Sequence, residues 1–142
     1  MIRPAQPNDA AALAQLAGEL GYPSNAREMS AQLAILSASA SDAVLVAESD
    51  GRVDGWIHVC ATMSLESGAQ GEIRGLVVTE ERRGHGVGAE LVQAAEEWAR
   101  ERGLPRIRVR TNVNRERAHR FYERCGFTHE KTSRVYEKDF GF

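Results

Sequence analysis

Three glycines at alternate positions, Gly84, Gly86 and Gly88, fall between an apolar run at 71–78 and a helical pattern at 89–102. Glycine loses more conformational freedom on folding than any other residue, so such a cluster needs a reason. Beyond the helix, "RIRVRT" at 106–111 alternates as a strand. Strand, glycine turn, helix and strand make a β-α-β unit. Its turn delivers free backbone N–H groups to a helix N-terminus, where the helix dipole favours an anion. A side chain at these positions would obstruct a phosphate approaching the main chain. The unit is therefore expected to hold a phosphate, and a pyrophosphate best of all.

The remaining elements are short and legible. Residues 2–5 read as a strand. Asn8 or Asp9 caps a helix with Leu13, Leu16, Ala17 and Leu20 on one face, stopped by Gly21. Asn25 and Glu28 have capping-box spacing ahead of a second helix marked by Met29, Leu33 and Leu36. "AVLVAE", an Asp-Gly turn and "VDGWIHVC" make a hairpin. Residues 62–70 read as a loop. A last helix covers 117–125 and ends at Gly126, and two short strands follow at 127–129 and 134–139. The order, β α α β β β α β α β β, contains no repeat and no linker, and 142 residues fit one domain, 1–142.

Charge is uneven along the chain. Residues 1–71 carry three basic and eight acidic residues, and residues 72–142 carry fifteen and twelve. A basic half suits an anionic ligand and an acidic half a cationic one. No apolar run reaches membrane-span length and the N-terminus lacks an apolar signal core, so the expectation is a cytoplasmic protein with no membrane partner. Cys60 and Cys125 read as buried thiols. His58 and Cys60 stand without further ligands at a usual spacing, so no metal is expected.

Two common phosphate signatures fit poorly. A P-loop ends in Gly-Lys-Ser/Thr, whereas Gly88 is followed by Ala89 and Glu90. Gly84, Gly86 and Ala89 match only the loose form of the dinucleotide fingerprint, in a chain too short for that domain. A third signature matches. "RRGHGVGAEL" contains Arg83-x-x-Gly86-x-Gly88, which is similar to the R/Q-x-x-G-x-G/A motif of the GNAT superfamily of N-acetyltransferases. "NVNRERAHRFYERCGF" resembles that family's second signature, with an Ala, a Phe-Tyr pair and a Gly-Phe at fixed spacing. The resemblance covers essentially the whole chain.

The resemblance implies an α/β fold, the acyl-CoA N-acyltransferase type, with a central twisted mixed sheet of six to seven strands flanked by four helices. It implies acetyl-CoA as cosubstrate and transfer of the acetyl group to a primary amine by direct attack in a ternary complex. By the same analogy, Arg83, Gly84, His85, Gly86, Val87, Gly88 and Ala89 surround the CoA pyrophosphate. Val77 and Val78 lie on the strand edge that pairs with pantetheine, and Asn112, Ala118 and Phe121 add further CoA contacts. Many members carry an asparagine where this chain has Arg115, so Asn112 or Asn114 takes that contact. The strands at 72–78 and 106–111 splay apart around the thioester, with Gly75 permitting a bulge. The amide of Leu76 polarises the thioester carbonyl.

Two proton events remain. An alkyl amine with a pKa near ~10 must lose a proton before attack, and the CoA thiolate must then be neutralised. Tyr122 stands where the family places its acid. Glu72 is the candidate base, acting directly or through water, and His58 is the second candidate. Tyr22, Trp56 and His58 are expected around the acceptor. The acidic N-terminal half favours a small cationic amine, with a protein lysine or N-terminus, or a catalytically silent acyl-CoA sensor, as alternatives. Arginines alternating with Ile107 and Val109, and helix carboxylates at Glu116 and Glu123, argue for a solvated face over nucleic-acid binding. Related folds often dimerise through sheet edges, so the resemblance allows a homodimer.

Overall fold

The computed structural model describes residues 1–142 and divides into two compact units, Met1–Arg110 and Thr111–Phe142. The first unit is a five-stranded sheet in the order β1-β2-β3-β4-β5, where β1 is Ile2–Pro4, β2 Asp42–Ser49, β3 Arg52–Ser64, β4 Gly68–Val78 and β5 Ile107–Val109. The first four strands are antiparallel neighbours, and β5 joins β4 in parallel. The second unit holds helix α4, Glu116–Arg124.

Local chemistry accounts for each turn. Asp50 and Gly51 both have positive φ, 49° and 74°, as a two-residue hairpin between β2 and β3 requires. Helix α2, Ala26–Ser37, starts at Asn25, whose side-chain oxygen accepts from the Glu28 N–H at 2.8 Å. Helix α1, Ala10–Glu19, starts at Asp9, yet that carboxylate caps no helical N–H. It accepts instead from the Gln6 N–H and from both ends of the Arg3 guanidinium, which also reaches Glu48. This tie fastens α1 to β1 and β2.

The sheet has two covered faces because its residues alternate. On one face Gly55 and Gly71 leave room for Leu91 and Ala99 of helix α3, Val87–Glu101. The fully buried Ile57, Val59, Leu91 and Ala95 belong to this core. On the other face Leu13 and Leu33 pack with Val46, and Val44 and Trp56 lie against them.

Three expectations need correction. The segment at 62–70 is a hairpin, with β3 running to Ser64 and β4 starting at Gly68. Helix α3 begins at Val87, so Gly88 lies inside its first turn. The sheet has five strands because residues 127–142 form none, and Val135, Tyr136, Phe140 and Phe142 are exposed. An alternating pattern describes a face, but a strand also needs a neighbour to complete its ladder. No helix is long and apolar enough to cross a membrane.

Candidate active site

The site in the first unit is built on β4. It pairs with β3 along its length but with β5 only at Gly71–Ile107, Glu72–Arg108 and Ile73–Val109. From Arg74 to Val78 the opposite edge of β4 has no strand partner. The β3–β4 register also shifts here. Val59 faces Ile73 and His58 faces Gly75, which leaves Arg74 as the extra residue of a bulge. Leu76, Val77 and Val78 continue the unpaired edge toward the glycine turn.

That turn is set by backbone conformation. Gly84 and Gly86 have φ of 83° and 84°, and a Cβ on either would meet nothing within 4 Å. Glycine is needed there for its dihedrals, while the space beside it stays open. The amides of Gly84, Gly86, Val87, Gly88 and Ala89 have no partner within the chain, whereas the His85 N–H bonds to the Arg82 carbonyl. Five free donors at the start of a fifteen-residue helix make a cradle for a phosphate-bearing ligand.

The turn is braced from below. The Arg83 Nε donates to the Val78 carbonyl at 3.3 Å. The Thr79 N–H donates to the Asp54 carbonyl at 2.8 Å, and the buried Asp54 side chain accepts from Ser49 and stands 4.0 Å from the Arg82 Nε. The Glu80 N–H donates to Glu19 at the end of α1. The arginine of the signature thus shapes the turn through its own side chain.

Polar residues gather on the sheet face away from α3. Glu72 is 5% exposed; its Oε1 accepts from the Arg110 Nε at 3.0 Å, and its Oε2 forms an ion pair with the Arg74 Nη1 at 3.2 Å. The Arg74 Nε also donates to the Cys60 Sγ at 3.3 Å. His58 bonds through Nε2 to Asp42 at 2.7 Å. Trp56, half-buried, has an indole N–H that is buried without a partner. Tyr22 is exposed in the loop after α1. Sequence reasoning missed Asp42, Arg74 and Arg110. Counting back from the Asp50-Gly51 turn would set Val44 across from Ile57; a bulge at Ala47/Glu48 shifts the register by one and sets it across from His58, so counting alone does not find Asp42.

In the second unit, Tyr122 lies edge-on to Phe121 and Phe127, with ring centroids 5.1 and 5.6 Å away. Burial, only partly offset by Arg115, pushes its phenol up to about 12. Asn112 folds its side-chain oxygen onto the Asn114 N–H, and its carbonyl accepts from the Arg115 N–H and from His119. Ala118 and Phe121 are half-buried on α4.

Comparison with known proteins bears on the fold and the family. The model of the "Acetyltransferase (GNAT) family" matches residues 10–127. Aminoglycoside N(6')-acetyltransferase type 1 of Stenotrophomonas maltophilia is 34% identical over 139 residues, covering 94% of this chain and 88% of that protein. The apo structure of an aminoglycoside 6'-N-acetyltransferase from Acinetobacter haemolyticus aligns with a TM-score of 0.87 at 19% identity over 99% of each chain. An aminoglycoside N-acetyltransferase solved in complex with CoA aligns with a TM-score of 0.84 at 17% identity, over 98% of this chain and 99% of that one. The two structures speak for the fold, and the family model and the relative for descent. The protein therefore belongs to the GNAT family and is an N-acetyltransferase.

Proposed function

We propose that the protein moves the acetyl group of acetyl-CoA to a primary amine of a small molecule by direct attack in a ternary complex. The observation that carries this reading is the set of five unpartnered amides at the start of α3, continuous in sequence with the unpaired edge of β4. The amides of Gly84, Gly86, Val87, Gly88 and Ala89 hold the pyrophosphate, with Arg83 and His85 shaping the turn. The free edge at Leu76, Val77 and Val78 takes the pantetheine arm in the manner of an added strand. The Leu76 N–H polarises the thioester carbonyl as negative charge develops on its oxygen.

By the family's second signature, Tyr122 donates toward the departing sulfur, and Asn112, Ala118 and Phe121 contact CoA. Two groups on the sheet face away from α3 are suited to take the proton of the attacking amine, Glu72 and His58. Trp56, with its unpartnered indole N–H, and Tyr22 contact the acceptor. The relative from Stenotrophomonas maltophilia, an aminoglycoside acetyltransferase by name, supports a small-molecule amine.

CoA-thiol release from acetyl-CoA tests this against aminoglycosides, polyamines, amino acids and short peptides. The expected result is release with a small amine, suppressed in Tyr122→Phe. Failure of acetyl-CoA to bind, measured by calorimetry, would overturn the reading of the glycine turn.

A further inference from the structure

The hairpin register brings His58 on β3 beside Asp42 on β2, and the arrangement has the form of an oriented base. The His58 Nε2 lies 2.7 Å from Asp42 Oδ1, and the Ser39 hydroxyl donates to Asp42 Oδ2 at 2.8 Å. The Ser41 N–H in turn fixes the Ser39 oxygen at 3.2 Å. The histidine and aspartate side chains are 19% and 18% exposed. Burial alone would raise the Asp42 carboxyl, but the bonds from His58 and Ser39 outweigh it and hold it below its ordinary value. Asp42 therefore stays an acceptor, which places the imidazole hydrogen on Nε2 and the lone pair on Nδ1. The Nδ1 has no partner in the chain.

Position matters as much as tautomer. His58 faces Gly75 across the ladder, and paired residues there stand about 5 Å apart. Gly75 is two residues past Ile73, the last point at which β4 and β5 pair, so the imidazole stands at the level where the sheet opens. The charged and titratable groups around it are Asp42 on β2, Cys60 on β3, Glu72 and Arg74 on β4, and Arg110 beyond β5.

Glu72 is the other candidate, and its geometry suits a different task. Both of its oxygens are already engaged by guanidinium groups, one by a hydrogen bond from Arg110 and the other by an ion pair with Arg74, and its own side chain is 7% exposed. Taking up a proton would cost this buried carboxylate its pairing with Arg110 and Arg74, whose own side chains are 59% and 52% exposed. Glu72 fixes Arg74 and Arg110 at the mouth of the opening and holds the bulge in shape.

We propose that His58, oriented by Asp42, is the general base of the acetyl transfer. The inference rests on the acetyl-transfer reading above. One N–H proton of the acceptor ammonium passes to His58 Nδ1. The freed nitrogen pair forms the C–N bond at the thioester carbonyl, the C–S bond breaks with its electron pair leaving on the CoA sulfur, and the second N–H proton of the attacking nitrogen passes through solvent to that sulfur, leaving a neutral amide. The imidazolium, stabilised by Asp42, returns its proton to water. Asp42 is a positioning residue, since it acts through His58.

His58→Gln keeps a donor toward Asp42 and removes the base. It should lower kcat/KM for the acceptor by about 100-fold or more and abolish the acidic limb of its pH profile. The dissociation constant for acetyl-CoA should stay within about twofold, because no CoA contact is altered. Asp42→Asn presents a donor to Nε2 and so favours the wrong tautomer, and it should lose about tenfold or more with the same affinity for acetyl-CoA. An unchanged acidic limb in His58→Gln, with that limb lost in Glu72→Gln, would overturn the assignment in favour of Glu72. A readout independent of the acceptor is nitrogen NMR of the wild-type imidazole. The proposal requires a protonated Nε2 and a bare Nδ1, and a protonated Nδ1 in the neutral ring would refute it. If acetyl-CoA itself fails to bind the wild type, the transfer reading is what has failed.

Discussion

The Trp56 ring lies against the α-carbon of Gly75: a Cβ placed on Gly75 would stand 2.9 Å from Cζ3 and 3.0 Å from Cη2 of the indole. Real Cβ atoms do not come that close to a ring, so Gly75→Ala must push the indole away from its place on the sheet. Overpacking of this kind costs about 1–3 kcal/mol. The variant should melt several degrees lower, shift the tryptophan emission and lose turnover. An alanine protein with wild-type melting and turnover would show that Trp56 moves freely and is not held for the acceptor.

Gly84 and Gly86 give a cleaner test, because their side-chain space is empty and only the left-handed backbone demands glycine. Alanine costs about 1–2 kcal/mol in that conformation. The chain can recover this cost by letting the turn relax, which misaligns the five amides. Calorimetry should show acetyl-CoA affinity falling about tenfold in Gly84→Ala and Gly86→Ala, as expected for a loss near 1.4 kcal/mol. Gly18, in the last turn of α1, also has no neighbour within 4 Å and has a helical backbone, so Gly18→Ala serves as the control. It should gain about 0.4–1 kcal/mol of stability with unchanged affinity.

Tyr122 is a neutral donor at neutral pH, because burial pushes its phenol up to about 12. A departing thiolate with a pKa near ~8.5 is a weaker base than such a phenolate. In the proposed transfer, Tyr122 is therefore expected to supply a hydrogen bond to the sulfur, with solvent completing the protonation. Hydrogen bonds to charged groups are worth about 1.5–3 kcal/mol, so Tyr122→Phe should cut kcat by about 10- to 100-fold. Acetyl-CoA binding should be spared. The linkage has a definite sign. A phenol whose folded pKa lies above its unfolded value of 10.0 loses its contribution to stability as pH rises from about 10 to about 12. Denaturant titrations should show this decline in the wild type and a smaller one in the phenylalanine variant.

Periodicity located β3, β4, α3 and α4 because each buries an apolar face or carries a spaced signature. The glycine turn was legible for the same reason, since Gly84 and Gly86 meet a dihedral requirement that no other residue satisfies cheaply. Charge counting was a poorer guide. Half of the acidic residues of 1–71 are turned inward: Asp9 and Glu48 hold Arg3, Asp42 holds His58, and Asp54 faces Arg82. The arginines of β5 and its flanks behave likewise, with Arg106 on Gln70 and Ser67 and Arg110 on Glu72. Which charge meets which depends on strand register, and composition carries no register. The terminal strands were misread because an alternating run predicts a face without saying whether a neighbour exists.

Asp9 offers a test of that inward pairing. Its carboxyl is held well below the ordinary value, chiefly by the Arg3 guanidinium, with burial opposing and the Gln6 N–H assisting. A carboxyl with a lowered folded pKa stabilises the protein fully above its unfolded value of 3.8 and loses that contribution as pH falls through the folded one. Asp9→Asn keeps an acceptor for Gln6 but gives up the paired charge on Arg3, whose side chain is 20% exposed. The loss of a charge-assisted pair in such a place is about 1.5–3 kcal/mol at neutral pH. Urea unfolding should show the gap between wild type and Asp9→Asn at full size near pH 7 and shrinking below pH 3.8, where the wild-type carboxyl begins to protonate. Asp42 follows the same sign, so the Asp9→Asn variant keeps some acid sensitivity of its own. A gap that persists unchanged into acid would mean that Asp9 acts through shape and its bond to Gln6, and that its charge contributes nothing.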